Sequence, residues 1–231
     1  MSDVASEDLS PSPVKRRLRG EMVLVGMLGI VSIAIAVLVF AYKTRETDPK
    51  LPNLGSVPAF QLIDEEGKPF SDEALRGHPT IINFIFTRCD TICPVIGMKS
   101  QRLQERTLDR KGIGIKILTI SVDPEFDTPA RLTEFGARYQ ANPTKWRFLT
   151  GPKDKITSLV TGPLMNTMDR EGKLPSGAPQ IVHSGYFLLV DGNLDIRGVY
   201  DSNDIHKLDE LERHARFLAR TASDAFKFGG S

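Results

Sequence analysis

Strand, helix, strand, helix, hairpin and helix follow one another along residues 57–222. That order predicts an α/β domain of thioredoxin-like fold. The turn Asp191-Gly192-Asn193 between two apolar runs gives the hairpin, and no internal repeat competes with the assignment. Ahead of the domain, an uncharged stretch predicts a single N-terminal transmembrane helix.

The expected organisation is a polar cytoplasmic tail over 1–20, an anchor over 21–43, a linker over 44–56, the domain over 57–222 and a flexible tail over 223–231. Pro11 and Pro13 mark the first tail, and Pro49, Pro52 and Gly55 mark the linker. Met22 to Tyr42 is 21 residues without a charge, bracketed by Glu21 and Lys43. At about 1.5 Å per residue such a helix spans roughly 30 Å, the thickness of a bilayer core. A cleaved signal peptide has a shorter apolar stretch, so an uncleaved anchor is the better reading. Lys15, Arg16, Arg17 and Arg19 crowd the first flank, while Lys43, Arg45 and Lys50 are looser on the second. That bias places the N-terminus in the cytoplasm. Asp3, Glu7 and Asp8 argue against a mitochondrial transit peptide. The expectation is therefore a single-pass protein of a bacterial inner membrane with its domain in the oxidising periplasm.

Within the domain, Phe60 to Ile63 enters a strand that turns at Asp64-Glu65-Glu66-Gly67, and Ser71 caps a brief helix through Leu75. Thr80 to Phe86 is a continuous apolar strand, and Pro94 to Arg110 is a helix with Pro94 in its first turn. Ile113 to Val122 is the next strand. Thr128-Pro129 opens a helix to Tyr139, with Thr128 as cap. Trp146 to Leu149 is a short strand and Lys153 to Val160 a short helix. Gly185 to Val190 and Asp195 to Tyr200 form the hairpin, and Ile205 to Ala219 the last helix. In this topology Thr80–Phe86 lies antiparallel to the first hairpin strand, so the residues before Gly185 approach those after Phe86.

The chain of 231 residues carries 30 Lys plus Arg against 29 Asp plus Glu. A net charge of +1 supplies no field to attract nucleic acid, and no glycine-rich phosphate loop is present. The two cysteines are the whole thiol complement, and they sit at the expected strand-to-helix junction as Cys89-Asp90-Thr91-Ile92-Cys93-Pro94. A helix N-terminus favours thiolate over thiol. On a helical turn an i, i+4 pair has Cβ atoms about 5 to 6 Å apart, so both sulfurs can reach one metal ion or each other. A structural disulfide over so short a loop would remove little chain entropy. With His183 brought near by the topology, Cys89, Cys93 and His183 make a sensible copper site for Cu(I) or Cu(II). A redox-active Cys89–Cys93 pair is equally compatible with the residues.

Further motifs bear on both. Phe86-Thr87-Arg88-Cys89, Ile92-Cys93-Pro94, Ser121-Val122-Asp123-Pro124-Glu125, Asp127-Thr128-Pro129, Trp146 with Leu149-Thr150-Gly151, His183-Ser184, and Val190-Asp191-Gly192 with Arg197-Gly198 occur in this order. On these motifs the chain resembles the Sco/SenC family of membrane-anchored, thioredoxin-like copper proteins over Val57 to Ala219. The resemblance implies a copper chaperone for the binuclear copper centre of cytochrome c oxidase, with Cys89, Cys93 and His183 as ligands. The implied partner is the oxidase subunit that bears that centre, or another periplasmic copper or thiol protein. It also implies thiol-disulfide activity toward partner cysteines, in which Cys89 attacks and Cys93 resolves. Many members have His before the first cysteine and Pro-Asp after it, whereas this chain has Arg88 and Asp90-Thr91. A fixed charge at Arg88 is expected to favour the Cys89 thiolate. Asp123, Glu125 and Asp127 are expected as turn and cap residues, with an electrostatic rim as the alternative. Met165 and Met168 are expected to pack. His78, His206 and His214 are expected to be solvated or structural.

Overall fold

The computed structural model describes residues 26–39, 49–107, 114–161 and 185–228. The chain divides into two units, Met1–Asp48 and Pro49–Ser231. In the first, helix α1 covers residues 26–39 with every side chain exposed, Ile30 and Leu38 among them. Among the described residues no helix is long and apolar enough to cross a membrane. Residues 22–25 and 40–42 of the expected anchor lie outside the described residues.

The second unit is an α/β domain. Its elements are β1 (Gln61–Asp64), β2 (Pro69–Ser71), a 3-10 turn (Asp72–Leu75), β3 (Thr80–Ile85), α2 (Ile92–Arg106), β4 (Lys116–Ser121) and α3 (Pro129–Arg138), followed by β5 (Trp146–Thr150), α4 (Lys153–Thr161), β6 (Tyr186–Val190), β7 (Ile196–Asp201) and α5 (Ile205–Phe228). The sheet order is β2-β1-β5-β4-β3-β6-β7. β3 is parallel to β4, and antiparallel to β6 with Thr80 opposite Val190 and Asn83 opposite Phe187. The expected neighbour of β3 is therefore the one found.

β3 and β6 are buried at every position, which is why they read as apolar runs rather than alternating ones, Thr80 and Asn83 of β3 excepted. Alternate side chains feed two cores. Ile82, Phe84, Leu118, Leu188 and Val190 fill one, while Ile81, Ile85, Ile117, Phe187 and Leu189 meet Cys93, Ile96 and Leu103 of α2 and Leu211 of α5 in the other. A buried polar chain pins α2 to the middle of the sheet. Asn83 Nδ2 donates to Ser100 Oγ at 3.2 Å, Thr119 Oγ1 to Asn83 Oδ1 at 2.9 Å, and Trp146 Nε1 to Thr119 Oγ1 at 2.8 Å. Asn83, Ser100, Thr119 and the Trp146 indole are thereby all partnered inside the core.

Several boundaries differ from expectation by a few residues, β4 for example running from Lys116 to Ser121, and three of the differences have a visible physical cause. The linker expected over 44–56 joins the domain from Leu51. Arg197 Nη2 donates to Leu51 O at 3.0 Å, Leu54 N to Ile196 O at 2.9 Å, and Val57 N to Leu194 O at 2.8 Å. β7 is a sheet edge, and its unpaired backbone groups take up this segment. The last helix continues past Ala219 through Phe228, so the expected tail over 223–231 begins as helix. No glycine or proline interrupts it before Gly229. Helix α2 begins two residues early, at Ile92, leaving Pro94 within its first turn, where its missing N–H costs nothing. Thr128 caps α3 as expected, accepting from Arg131 N at 3.4 Å, whereas Ser71 makes no side-chain cap bond. There Asp72 accepts instead from Phe60 N at 3.0 Å.

Candidate functional site

The buried end of β3 delivers residues 86–91 to the N-terminus of α2, and backbone geometry fixes both sulfurs. Cys89 N donates to Phe86 O at 3.1 Å. Phe86 N points at Cys93 Sγ, and Cys93 N at Cys89 Sγ, each at 3.5 Å. Thr91 Oγ1 lies 3.5 Å from Cys89 Sγ. Both thiols are free, with Cys89 partly exposed and Cys93 only 2% exposed.

The pair is thus unequal. Partial burial pushes the Cys89 thiol up, but hydrogen bonds from Thr91 and Cys93 outweigh it and bring it from an ordinary 9.0 to about 7. Burial pushes Cys93 up to about 12, and the neighbouring Cys89 and Asp127 add to the rise. Cys89 therefore ionises far more readily than Cys93, which keeps its proton near neutral pH.

Arg88 does not act as expected. Its Nε is bound to Asp123 Oδ2 at 2.6 Å, and hydrogen bonds, not that charge, account for the lowered Cys89. Asp127 is fully buried and takes no part in an exposed rim. Its carboxylate accepts from Thr87 N at 3.2 and 3.1 Å, from Thr87 Oγ1 at 2.5 Å and from Ser121 Oγ at 2.5 Å. It ties the cysteine loop to the end of β4. Neither the expected turn and cap role nor the rim describes this aspartate, whose carboxylate is a buried tie between two separate segments. Thr91 is the residue that sequence reasoning missed. The available signal was a hydroxyl two residues after the first thiol, the spacing at which a side chain folds back on its own loop.

Gly185 shows where the segment before β6 enters. It has φ +66°, and a Cβ there would stand 2.7 Å from Ser202 Oγ, 2.9 Å from Ile92 Cγ1 and 3.0 Å from Ile96 Cδ1. Ser202 N donates to Gly185 O at 2.9 Å, and Lys99 Nζ of α2 donates to Ser202 O. The start of β6 is thus held against the first two turns of α2, beside Cys93. His183, Met165 and Met168 lie outside the described residues. Among the described residues no group of three or more His, Cys, Asp or Glu is gathered to hold a metal ion. His214 Nδ1 is 2.7 Å from Tyr200 Oη, a structural contact, and His206 is exposed. His78 is half-buried, its Nδ1 without a partner among the described residues.

The model of the SCO1/SenC family matches residues 50–217. The chain belongs to that family. It is 35% identical over 148 residues to the SCO1 protein homolog of Bacillus subtilis, covering 62% of this chain and 74% of that one. Among solved structures it is similar to BsSco, a Sco-family cytochrome c oxidase assembly protein in which a disulfide switch was identified. That likeness has 29% identity, a TM-score of 0.59, and coverage of 78% of this chain and 99% of that one. Yeast Sco1 with copper bound is similar at 26% identity and a TM-score of 0.53, over 71% of this chain and 94% of that one. The thioredoxin-like architecture read from element order is therefore that of Sco proteins.

Proposed function

We propose that this Sco protein binds copper through Cys89, Cys93 and His183 and delivers it during maturation of the binuclear copper centre of cytochrome c oxidase. The observation that carries the reading is the pair of free, unequal thiols at the N-terminus of α2, Cys89 in the loop before it and Cys93 in its first turn, in a SCO1/SenC domain whose β6 begins against the same turn. Soft thiolates and an imidazole suit Cu(I), and the imidazole also suits Cu(II). Copper is cargo in this reading. The half-exposed Cys89 gives an acceptor its point of entry for ligand exchange, while the buried Cys93 keeps a second sulfur out of water. The acceptor is the copper-bearing oxidase subunit or another periplasmic copper or thiol protein. Met22 to Tyr42 anchors the chain in a bacterial inner membrane, with the N-terminus cytoplasmic and the domain periplasmic.

Titrating the reduced full chain with Cu(I) is expected to give one tight site per chain. His183→Ala and Cys93→Ser should each weaken it by about a hundredfold or more, since even outer-shell changes at metal sites cost 10- to 100-fold. Unchanged affinity in either variant refutes the ligand set.

A second reading, a periplasmic thiol-disulfide oxidoreductase, is favoured by one observation, the division into a thiol near 7 and a thiol near 12. It predicts that Cys93→Ser traps a mixed disulfide with a partner through Cys89 and that turnover survives His183→Ala.

A further inference from the structure

Arg88 stands one residue from the attacking thiol with its guanidinium already held in place. Its Nε donates to Asp123 Oδ2 at 2.6 Å, and its guanidinium carbon lies 4.9 Å from the centre of the Phe126 ring. Both supports are themselves fixed. Asp123 N donates to Ser121 Oγ at 3.1 Å, and the guanidinium of Arg131 lies 3.7 Å from the same Phe126 ring while its Nη1 donates to Phe126 O at 2.5 Å. The backbone on either side of Arg88 is bound too, Thr87 to the buried Asp127 and Cys89 to Phe86 O.

Held in this way, Arg88 still leaves donors over. Its two Nη groups have no acceptor among the described residues, and its side chain is 59% exposed. A guanidinium whose rotamer is already fixed loses little entropy when it meets a planar anion, and its fork matches a carboxylate. Other charges around this ring and loop are Arg131 on the same Phe126 ring, the exposed Asp90, and Glu125, which is occupied by Lys153 at 3.0 Å. Cys89 is thus flanked in the sequence by a held cation and an exposed carboxylate.

We infer that Arg88 is a specificity-determining docking residue, selecting partners that present a carboxylate beside the sulfur that Cys89 attacks. The inference rests on the exchange competence of Cys89 proposed above. In the exchange, the Cys89 thiolate attacks one sulfur of the partner disulfide, a Cys89–partner S–S bond forms, and the other partner sulfur leaves as thiolate. Cys93 then gives its proton to water and displaces the bound partner sulfur, forming the Cys89–Cys93 disulfide. The partner gains the two electrons that the pair loses. The Arg88 Nη groups hold the partner carboxylate through the first displacement.

The test uses the reduced full chain and two small aliphatic disulfides of opposite charge, dithiodiglycolate and cystamine. Second-order rates of thiol loss are measured at one pH, and their ratio cancels any change in the intrinsic reactivity of Cys89. Arg88→Gln is expected to lower the anion-to-cation rate ratio about fivefold, the worth of one charge at this range in water. Arg88→Lys should keep most of it, and about 1 M salt should erase the difference. The same ratio in native protein and Arg88→Gln overturns the inference, and so does a loss in Arg88→Lys as large as in Arg88→Gln. A chain that consumes neither disulfide overturns the exchange reading together with the inference, whereas one that consumes both with an Arg88-independent ratio leaves the exchange reading standing.

Discussion

At the scale of single residues, the two cysteines differ more than their spacing foretells. Both were legible as reactive from composition alone, because a chain with two thiols had placed both at a strand-to-helix junction. Their inequality was not, since it depends on Cys93 packing among Ile81, Ile85 and Ile96, a contact set by tertiary structure. The effect of Arg88 was misjudged for a related reason. A sequence shows a charge but not the Asp123 carboxylate, 35 positions away, that claims it. The pH dependence separates the two thiols. Alkylation of Cys89 with iodoacetamide should rise through a midpoint of about 7, while Cys93 stays unlabelled until well above pH 9. The stability consequences have opposite signs. The lowered Cys89 contributes stability that is present above its unfolded value near 9.0 and is lost as pH falls through about 7. The raised Cys93 contributes stability present below 9.0 and lost as pH climbs toward 12. Peptide-resolved labelling by mass spectrometry across that range checks the prediction, and simultaneous labelling of both cysteines near pH 7 would refute it.

At the scale of elements, the strands and helices were readable where their patterns are local. β3, β6 and the hairpin stood out as apolar runs around a turn, and Thr128-Pro129 marked the start of α3. The segment from Leu51 to Val57 read as linker because its composition is proline- and glycine-rich. Its bonds to β7 are non-local and leave no trace in the pattern. Asp127 belongs to the same class of hidden information. It looks like part of a surface turn, yet it is the acceptor for three donors from two different elements, Thr87 N, Thr87 Oγ1 and Ser121 Oγ. Asp127→Ala would leave those donors without their acceptor in a buried site. The expected loss is about 3 kcal/mol, given roughly 1 to 3 kcal/mol for each buried group left unpaired. A lower urea midpoint with unchanged slope would show it. The same variant removes a negative charge that helps raise Cys93, so the Cys93 thiol should also titrate lower than in the native chain. A native midpoint in Asp127→Ala would mean that the cysteine loop is held by other contacts.

At the scale of the whole molecule, the chain consists of a unit over Met1–Asp48 and a domain with its own two cores over Pro49–Ser231. The two units obey different physics. The domain hides most of its large apolar side chains, Ile63, Met98 and Ile205 excepted, whereas α1 exposes Met27, Ile30, Val31, Ile33 and Leu38 along its described length. A contiguous apolar surface of that kind is not stable against water unless something covers it. In the sequence it lies inside the uncharged run from Met22 to Tyr42, which matches a bilayer in length and carries a basic flank before it. We propose that the covering phase is lipid. The expected outcome is that the full chain stays with the membrane pellet through alkaline carbonate extraction, which releases proteins held by charge alone. A chain beginning at Pro49 should appear in the soluble fraction with its Cu(I) stoichiometry intact. Replacing Ile33 and Val37 by arginine should release the full chain as well, because each charge at the centre of a spanning helix costs about 2.5 to 3.5 kcal/mol. Carbonate release of the native chain would assign the apolar face of α1 to a protein partner instead. Loss of copper binding in the Pro49 chain would mean that residues 1–48 contribute more than membrane attachment.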